Sequence, residues 1–350
     1  MDIHGNSVAI TDHPSGSPPS VYRFELTDHG TEPDSWDIRD GFRLGSDQPV
    51  PPEANYTAPV TLSDGLMAAG RPDEASYQVW RRDVDDFVQP SPPTQGVLGT
   101  EFGASAAMED RIFAVGAPQD ASGDGSYRVY IRGPGDDLLH YSTSRPGSGS
   151  NLGSAVALDG DRLLVGAPLE SDLLGGKQNG AARLVRITGA GLELEHIFTS
   201  DEDYGRFGDA VAIDGAIAVI GEPEYRGGRG RAVAYAYTSA GWLPGPEITG
   251  LVRGDKLGTE VAIHGGRVFV ASSFYTNSAG LPSAGVVKIL EIGHGTPDWT
   301  DVQTLEGTAA DDRFGKAFDA EGDLLAIGAT GANGSHGQVI VYEWDTAGAG

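Results

Sequence analysis

The chain has 350 residues, of which 52 are glycine, 21 are proline and none is cysteine, and its formal net charge is −26. Such a charge repels nucleic-acid backbones and anionic lipid beyond a Debye length; the lack of cysteine rules out a disulfide framework, and no apolar run is long enough to span a bilayer. Nucleic-acid partners and membrane insertion are therefore not expected, and the balance of glycine and proline predicts short strands, tight turns and almost no helix.

Taken in chain order, the elements repeat. The stretch IHGNSVAITDH at 3–13 matches IHGGRVFVASS at 263–273, and VTLSDGLMAAGRP at 60–72 aligns without a gap on 156–168, with Tyr56-Thr57 at the place of a Leu-Gly pair. The phrase EDRIFAVGAP at 109–118 then returns as DGDRLLVGAP at 159–168, DGAIAVIGEP at 214–223 and EGDLLAIGAT at 321–330. A second phrase precedes it: Phe102-Gly103, Leu152-Gly153, Phe207-Gly208, Leu257-Gly258 and Phe314-Gly315, whose glycines follow one another at intervals of 50 to 57 residues. That period falls in the range of propeller blades. The copies divide the chain at about 1–55, 56–101, 102–151, 152–206, 207–256, 257–313 and 314–350.

Within a copy, AVALD at 155–159 reads as a first strand, Asp159-Gly160 as a hairpin turn with positive φ, and RLLVG at 162–166 as the returning strand, which Pro168 ends. A Gly- and Ser-rich loop leads to a third strand (GRAVAYAY, 230–237; GQVIVYEW, 337–344) and then a polar fourth (LELEHIF, 192–198; WTDVQTLEG, 299–307). The first two strands are apolar on consecutive residues, as in strands buried on both faces. The expected fold is all-β, a seven-bladed β-propeller of four-stranded antiparallel blades with incomplete first and last blades: only three residues precede the first turn, and 345–350 is too short and Gly-rich for a last strand. Exposed ladder edges at that seam predict that the missing strands lie in flanking sequence of a larger chain.

The paired Phe-Gly and Gly-Ala-Pro phrases resemble the FG-GAP repeat family over essentially the whole chain. The resemblance extends to the seven-bladed head of integrin α subunits and implies an extracellular or cell-surface propeller used for adhesion or ligand binding; some relatives are lectins and others accessory domains of enzymes. Integrin-like blades insert a calcium loop between strands one and two, whereas the DGDR and DGAI turns here have no room for one. The chain therefore looks like the short-turn prokaryotic version, for which no cofactor is required.

Calcium remains a candidate at Asp120, Ser122 and Asp124, whose alternate oxygen ligands followed by Gly125 match the start of a calcium loop. No acidic residue follows at the bidentate position, and the same residues suit a solvated turn. Asp201, Glu202, Asp203, Asp311 and Asp312, just before two Phe-Gly pairs, read as turn caps. The eight histidines show no zinc spacing, and no nucleophile elbow or phosphate loop is present.

An antiparallel meander sends loops 2–3 and 4–1 to one face. The 2–3 loops are long and varied, so that face is the expected binding face. On it, Glu224, Tyr225, Arg226 and Arg229 in one copy and Phe274, Tyr275 and Asn277 in the next are candidate ligand-binding residues for a protein or glycan. The expectation is a non-enzymatic, secreted or surface-exposed binding and adhesion module. The alternatives are a scaffold domain of a larger surface protein and a propeller hydrolase, lyase or accessory domain. Three or more carboxylates or histidines converging at the central channel would favour an enzyme, and an aromatic-lined pocket on the long-loop face a lectin or adhesin.

Overall fold

The computed structural model describes residues 1–4, 7–12, 20–27, 35–43, 60–63, 66–72, 75–83, 86–88, 94–95, 99–132, 138–144, 149–171, 178–292, 299–335 and 337–343. Among them the only helices are three single turns of four residues, and none is long and apolar enough to cross a membrane.

Every sheet is antiparallel and built from contiguous chain, and all are meanders but for Thr94–Gln95 of the second, which pairs back with Ser76–Asp83. The fourth shows the pattern. Val156–Asp159 pairs with Arg162–Ala167 in the register Val156↔Val165 to Asp159↔Arg162, followed by Ala181–Thr188 and the outer strand Gly191–Thr199. Gly160 supplies the expected left-handed turn, with φ of 56°. Six sheets carry four strands or more, and a seventh (Phe314–Glu321, Leu324–Ala329, Gln338–Glu343) carries three. The expectation of seven four-stranded blades is thereby corrected to six. The first blade is not one of the incomplete ones: its inner strand, Asp2–His4, is short but pairs fully with Ser7–Asp12. Residues 345–350 and Tyr56-Thr57 lie outside the described residues.

The innermost strands pack side by side in a ring, with Asp2–His4 lying between Val60–Ser63 of the second blade and Phe314–Glu321 of the last sheet. They are mostly half-buried, because one face looks into the central channel; the second strands are buried almost throughout. The expected burial on both faces holds for the second strands and, among the first, for Val60–Ser63 and most of Val211–Asp214. Outer strands are bulged against the third, at Leu184/Val185, Val233/Tyr235 and Ile289/Leu290, which adds twist at the rim.

The core lies between the sheets. Phe207 is fully buried and packs with Leu164, Leu184 and Phe198 of one blade and Val211, Ile220 and Trp242 of the next. Phe102, Leu152, Leu257 and Phe314 occupy the same place at other junctions. A blade alone would leave both faces of its second strand in water, so each is stable only against its neighbours.

The paired glycines set the spacing of that stack. The N–H of Gly153 donates to the carbonyl of Gly166 in its own sheet (2.9 Å), as Gly208 does to Gly221 (3.0 Å). The carbonyl of Gly208 in turn rests on the bare Cα of Gly166 in the preceding blade, and that of Gly258 on Gly221. One short parallel bridge, such as Gly180↔Phe207, joins each such pair of sheets. On the opposite face the tight turns are stitched blade to blade, with Gly160 N–H donating to Glu109 Oε2 (2.7 Å) and Gly215 N–H to Asp159 Oδ2 (2.9 Å).

The seam between the last sheet and the first differs. It is packed by Val8 and Ala326 with Met1, Ile10, Leu324 and Val339. The Asp2 carboxyl hydrogen-bonds Asp319 across it and accepts the Leu62 N–H of the second blade. Burial first, and the Asp319 charge second, push the Asp2 carboxyl well above the usual carboxylate range.

Candidate functional site at the channel mouth

The chain passes from an outer strand to the next inner strand through the Phe-Gly or Leu-Gly pair. The residues on either side of that pair therefore recur at one height around the channel. Those preceding it, Glu101, Asn151, Arg206, Lys256 and Arg313, all adopt left-handed backbone, with φ between 49° and 61°. Such conformations are uncommon outside glycine and are held here by the surrounding junction. Those following it are Ala104, Ser154, Asp209, Thr259 and Lys316. All of these but Arg313 line one cavity of about 460 Å³, completed from the 2–3 loops by Pro118, Pro223, Glu224 and Phe274, and from an inner strand by Glu260. Both loop sets thus meet at the mouth of the channel.

Charge is mixed and closely paired. Arg206 binds Asp209 at 2.6 Å and Lys256 binds Glu224 at 2.7 Å. The Lys256 ammonium also lies 5.4 Å from the centre of the Phe274 ring, near the reach of a cation–π contact. The Lys316 ammonium forms no ion pair among the described residues and acts at longer range on Asp209 and Glu260. Burial in the channel wall pushes the Glu260 carboxyl up to about 7, with Lys316 opposing the shift; burial likewise raises Asp209 against the pull of Arg206.

Because the folded state favours the neutral Glu260, the stabilisation it brings is complete below its ordinary value of 4.5 and is lost as pH rises through about 7. Asp209 acts in the same direction. Glu260→Gln should flatten the fall in thermal midpoint between those pH values. An unchanged pH profile in that variant would show that Glu260 ionises normally.

The candidate ligand-binding residues separate into three groups. Glu224 and Phe274 line the cavity, Phe274 being 46% exposed. Arg226 and Arg229 are exposed on the same loop as Glu224, with the Arg226 guanidinium 4.9 Å from the Tyr225 ring centre. Tyr225 and Asn277 turn inward. Tyr225 is buried beneath the Arg231 guanidinium at 3.8 Å, and Tyr275 is half-buried. Asn277 Nδ2 donates to the Gly307 carbonyl (2.9 Å), and its Oδ1 accepts from the Ala279 and Leu281 N–H groups. It holds its loop and offers little to a ligand.

The calcium candidates sit on the single turn Asp120–Gly123 and just beyond it. Asp120 Oδ2 accepts from Ser126 Oγ (2.6 Å), and Asp124 Oδ1 from the Gly149 N–H (2.7 Å). Ser122 lies between them in the turn. No group of three or more metal-ligating side chains occurs among the described residues. Of the carboxylates before the Phe-Gly pairs, Asp312 behaves as a turn group, accepting the Thr308 and Ala309 N–H groups, whereas Glu202 accepts the Arg226 N–H of another loop (3.2 Å).

Sequence reasoning missed Arg206, Lys256, Lys316, Asp209 and Glu260. The available signal was in the aligned copies: the motif is constant, while the positions flanking it read Glu, Asn, Arg, Lys, Arg and then Ala, Ser, Asp, Thr, Lys.

Among known proteins, the FG-GAP repeat family model matches residues 146–184. No curated protein sequence matches the chain. Similar solved structures include a functionally unknown protein from Desulfotomaculum acetoxidans (12% identity, TM-score 0.58, covering 93% of this chain and 89% of that one). Another is the β-propeller domain of the Trilobed protease from Pyrococcus furiosus, described as having an open velcro topology (12% identity, TM-score 0.54, covering 99% and 94%). A third is a protein from Lactobacillus plantarum (13% identity, TM-score 0.59, covering 93% and 88%). At these identities the likeness is one of fold: an all-β propeller of four-stranded antiparallel blades.

Proposed function

We propose that the protein is a non-enzymatic recognition module, integrin-α-like in using one face of a propeller, exported or held at a cell surface, which binds a charged protein or glycan group at the channel mouth. The observation that carries this reading is the cavity itself. It is assembled from both loop sets of neighbouring blades, and in a chain of net charge −26 it gathers two of only four lysines together with Arg206. A few convergent polar groups in a concave site are what fix a ligand's orientation and specificity. No calcium is needed for it.

The test is binding of the full chain to an array of acidic and neutral glycans and peptides, repeated with Lys256→Ala/Lys316→Ala. Retained ligands should carry carboxylate or sulfate groups and bind the double variant at least about tenfold more weakly, the loss of one good charged contact. Equal binding by both chains would remove the channel mouth from the reading.

One observation favours a second reading, a propeller hydrolase or lyase. More than three carboxylates do converge on the channel, and two of them, Asp209 and Glu260, are shifted toward the range in which a carboxyl serves as a general acid at neutral pH. Cleavage of a retained glycan, abolished by Glu260→Gln, would establish it.

A further inference from the structure

We infer that a second surface on the long-loop face, formed by Arg226, Arg229, Leu251, Val252 and Arg253, docks an acidic, aliphatic segment of a partner protein, an inference that rests on the protein being a recognition module. Leu251 and Val252 are 74% and 63% exposed, among the most exposed large apolar side chains of the described residues. They are not on a loose tip. The Asp255 carboxylate, itself buried, accepts the Val252 N–H (2.7 Å), and the Gly228 carbonyl accepts the N–H groups of Gly254 (2.8 Å) and Lys256 (3.0 Å), which clasps this loop to the one carrying Arg226 and Arg229. The Arg253 guanidinium covers Gly227, next to Arg226. An apolar pair is thus held in water on a fixed backbone.

Charge complementarity says what covers it. Acids outnumber bases 50 to 24 in this chain, and Arg162, Arg183 and Arg231 each hold a carboxylate within 3 Å. Arg226, Arg229 and Arg253, all exposed, form no ion pair among the described residues. The nearby carboxylates are otherwise engaged: Glu224 with Lys256, Glu202 with the Arg226 N–H, and Asp255 with its own turn. Three guanidiniums without counter-charges around a Leu-Val pair match a segment that brings carboxylates and aliphatic side chains together. A glycan would leave Leu251 and Val252 without an apolar partner.

The experiment is selection of short random displayed peptides on the full chain, with Leu251→Ser/Val252→Ser and Arg226→Ser/Arg253→Ser as paired variants. Enriched peptides should combine Asp or Glu with Leu, Ile or Val. They should bind each double variant at least about tenfold more weakly and weaken with added NaCl, while the thermal midpoints of both variants stay at the wild-type value. No enrichment, or peptides that bind both variants as well as wild type, would overturn the inference. So would self-association of the chain in sedimentation that the variants abolish, which would make the occupant a second copy, and so would heparin fragments binding regardless of Leu251 and Val252. Because Lys316→Ala touches neither this patch nor the Glu224–Lys256 pair, the selected peptides should bind that variant normally. Loss of binding at one site alone therefore separates the two readings.

Discussion

Gly166→Ala should strongly destabilise the folded ring. A Cβ at this position would overlap the carbonyl oxygen of Gly208 in the next blade, and the atom it meets is backbone. No rotamer change relieves such a clash; only a shift of one sheet against the other does. Gly208 is tied to its own sheet by the bond from its N–H to the Gly221 carbonyl (3.0 Å), so its carbonyl retreats only if that sheet does. Overpacking in a tightly fitted core costs about 1–3 kcal/mol and occasionally more, and with backbone on both sides the effect belongs at or above the top of that range. Gly160→Ala is the control: its Cβ meets nothing within 4 Å, so only the left-handed backbone is penalised, by roughly 1–2 kcal/mol. Urea unfolding should place the two variants far apart. Equal midpoints would mean that the blades can separate freely, and that the glycine pair is not what sets their distance.

A comparably large effect is expected at Glu222. Four other junctions have Ala or Ser at the equivalent position, Ala117, Ala167, Ser272 and Ala329, so Glu222→Ala brings the chain closer to its own consensus. It should nonetheless destabilise the fold. Glu222 is fully buried, accepts Ser200 Oγ (2.7 Å) and Arg231 Nε (2.6 Å), and packs against the bare Gly205. Arg231 also donates to Ser200 (3.1 Å), to the half-exposed Glu247 (2.7 Å), and lies over Tyr225. Removing one partner of a buried pair typically costs about 3–5 kcal/mol, because the other charge stays buried; Glu247 moves the expectation toward the lower figure. Replacing both, as Glu222→Ala/Arg231→Met, should recover much of the loss. A double variant as unstable as the single one would show that the penalty comes from an unfilled space instead of an unpaired guanidinium.

The two predictions bear on what a one-dimensional reading can see. Phe207, Gly208 and Gly221 are legible because each junction solves the same packing problem with the same residues, so the solution is written once per copy. The propeller, the strand order and the loop faces followed from that. The blade count was harder. A motif copy marks a second strand and its junction, not the presence of an outer strand, and the last copy carries only three strands among the described residues. The channel mouth was least legible, since Arg206, Lys256 and Lys316 stand about one blade apart in sequence and meet only when the sheets bend round the axis. Tyr225 and Asn277 show the converse. Both have the composition of an exposed anchor, yet an arginine and a set of backbone amides draw them inward.

The seam has a kinetic meaning. Among the described residues, no strand of the first sheet pairs with a strand of the last. The described sheets are therefore a linear array bent until its ends touch, and the contact between the ends is side-chain packing plus a carboxyl pair. Fraying should start there and travel from neighbour to neighbour. With Asp2 favouring its protonated form in the closed ring, acid slows the first step and alkali hastens it. Amide exchange would then run as a gradient along the array, fastest in the two sheets that meet at the seam and slowest in the fourth, on the far side of the circle.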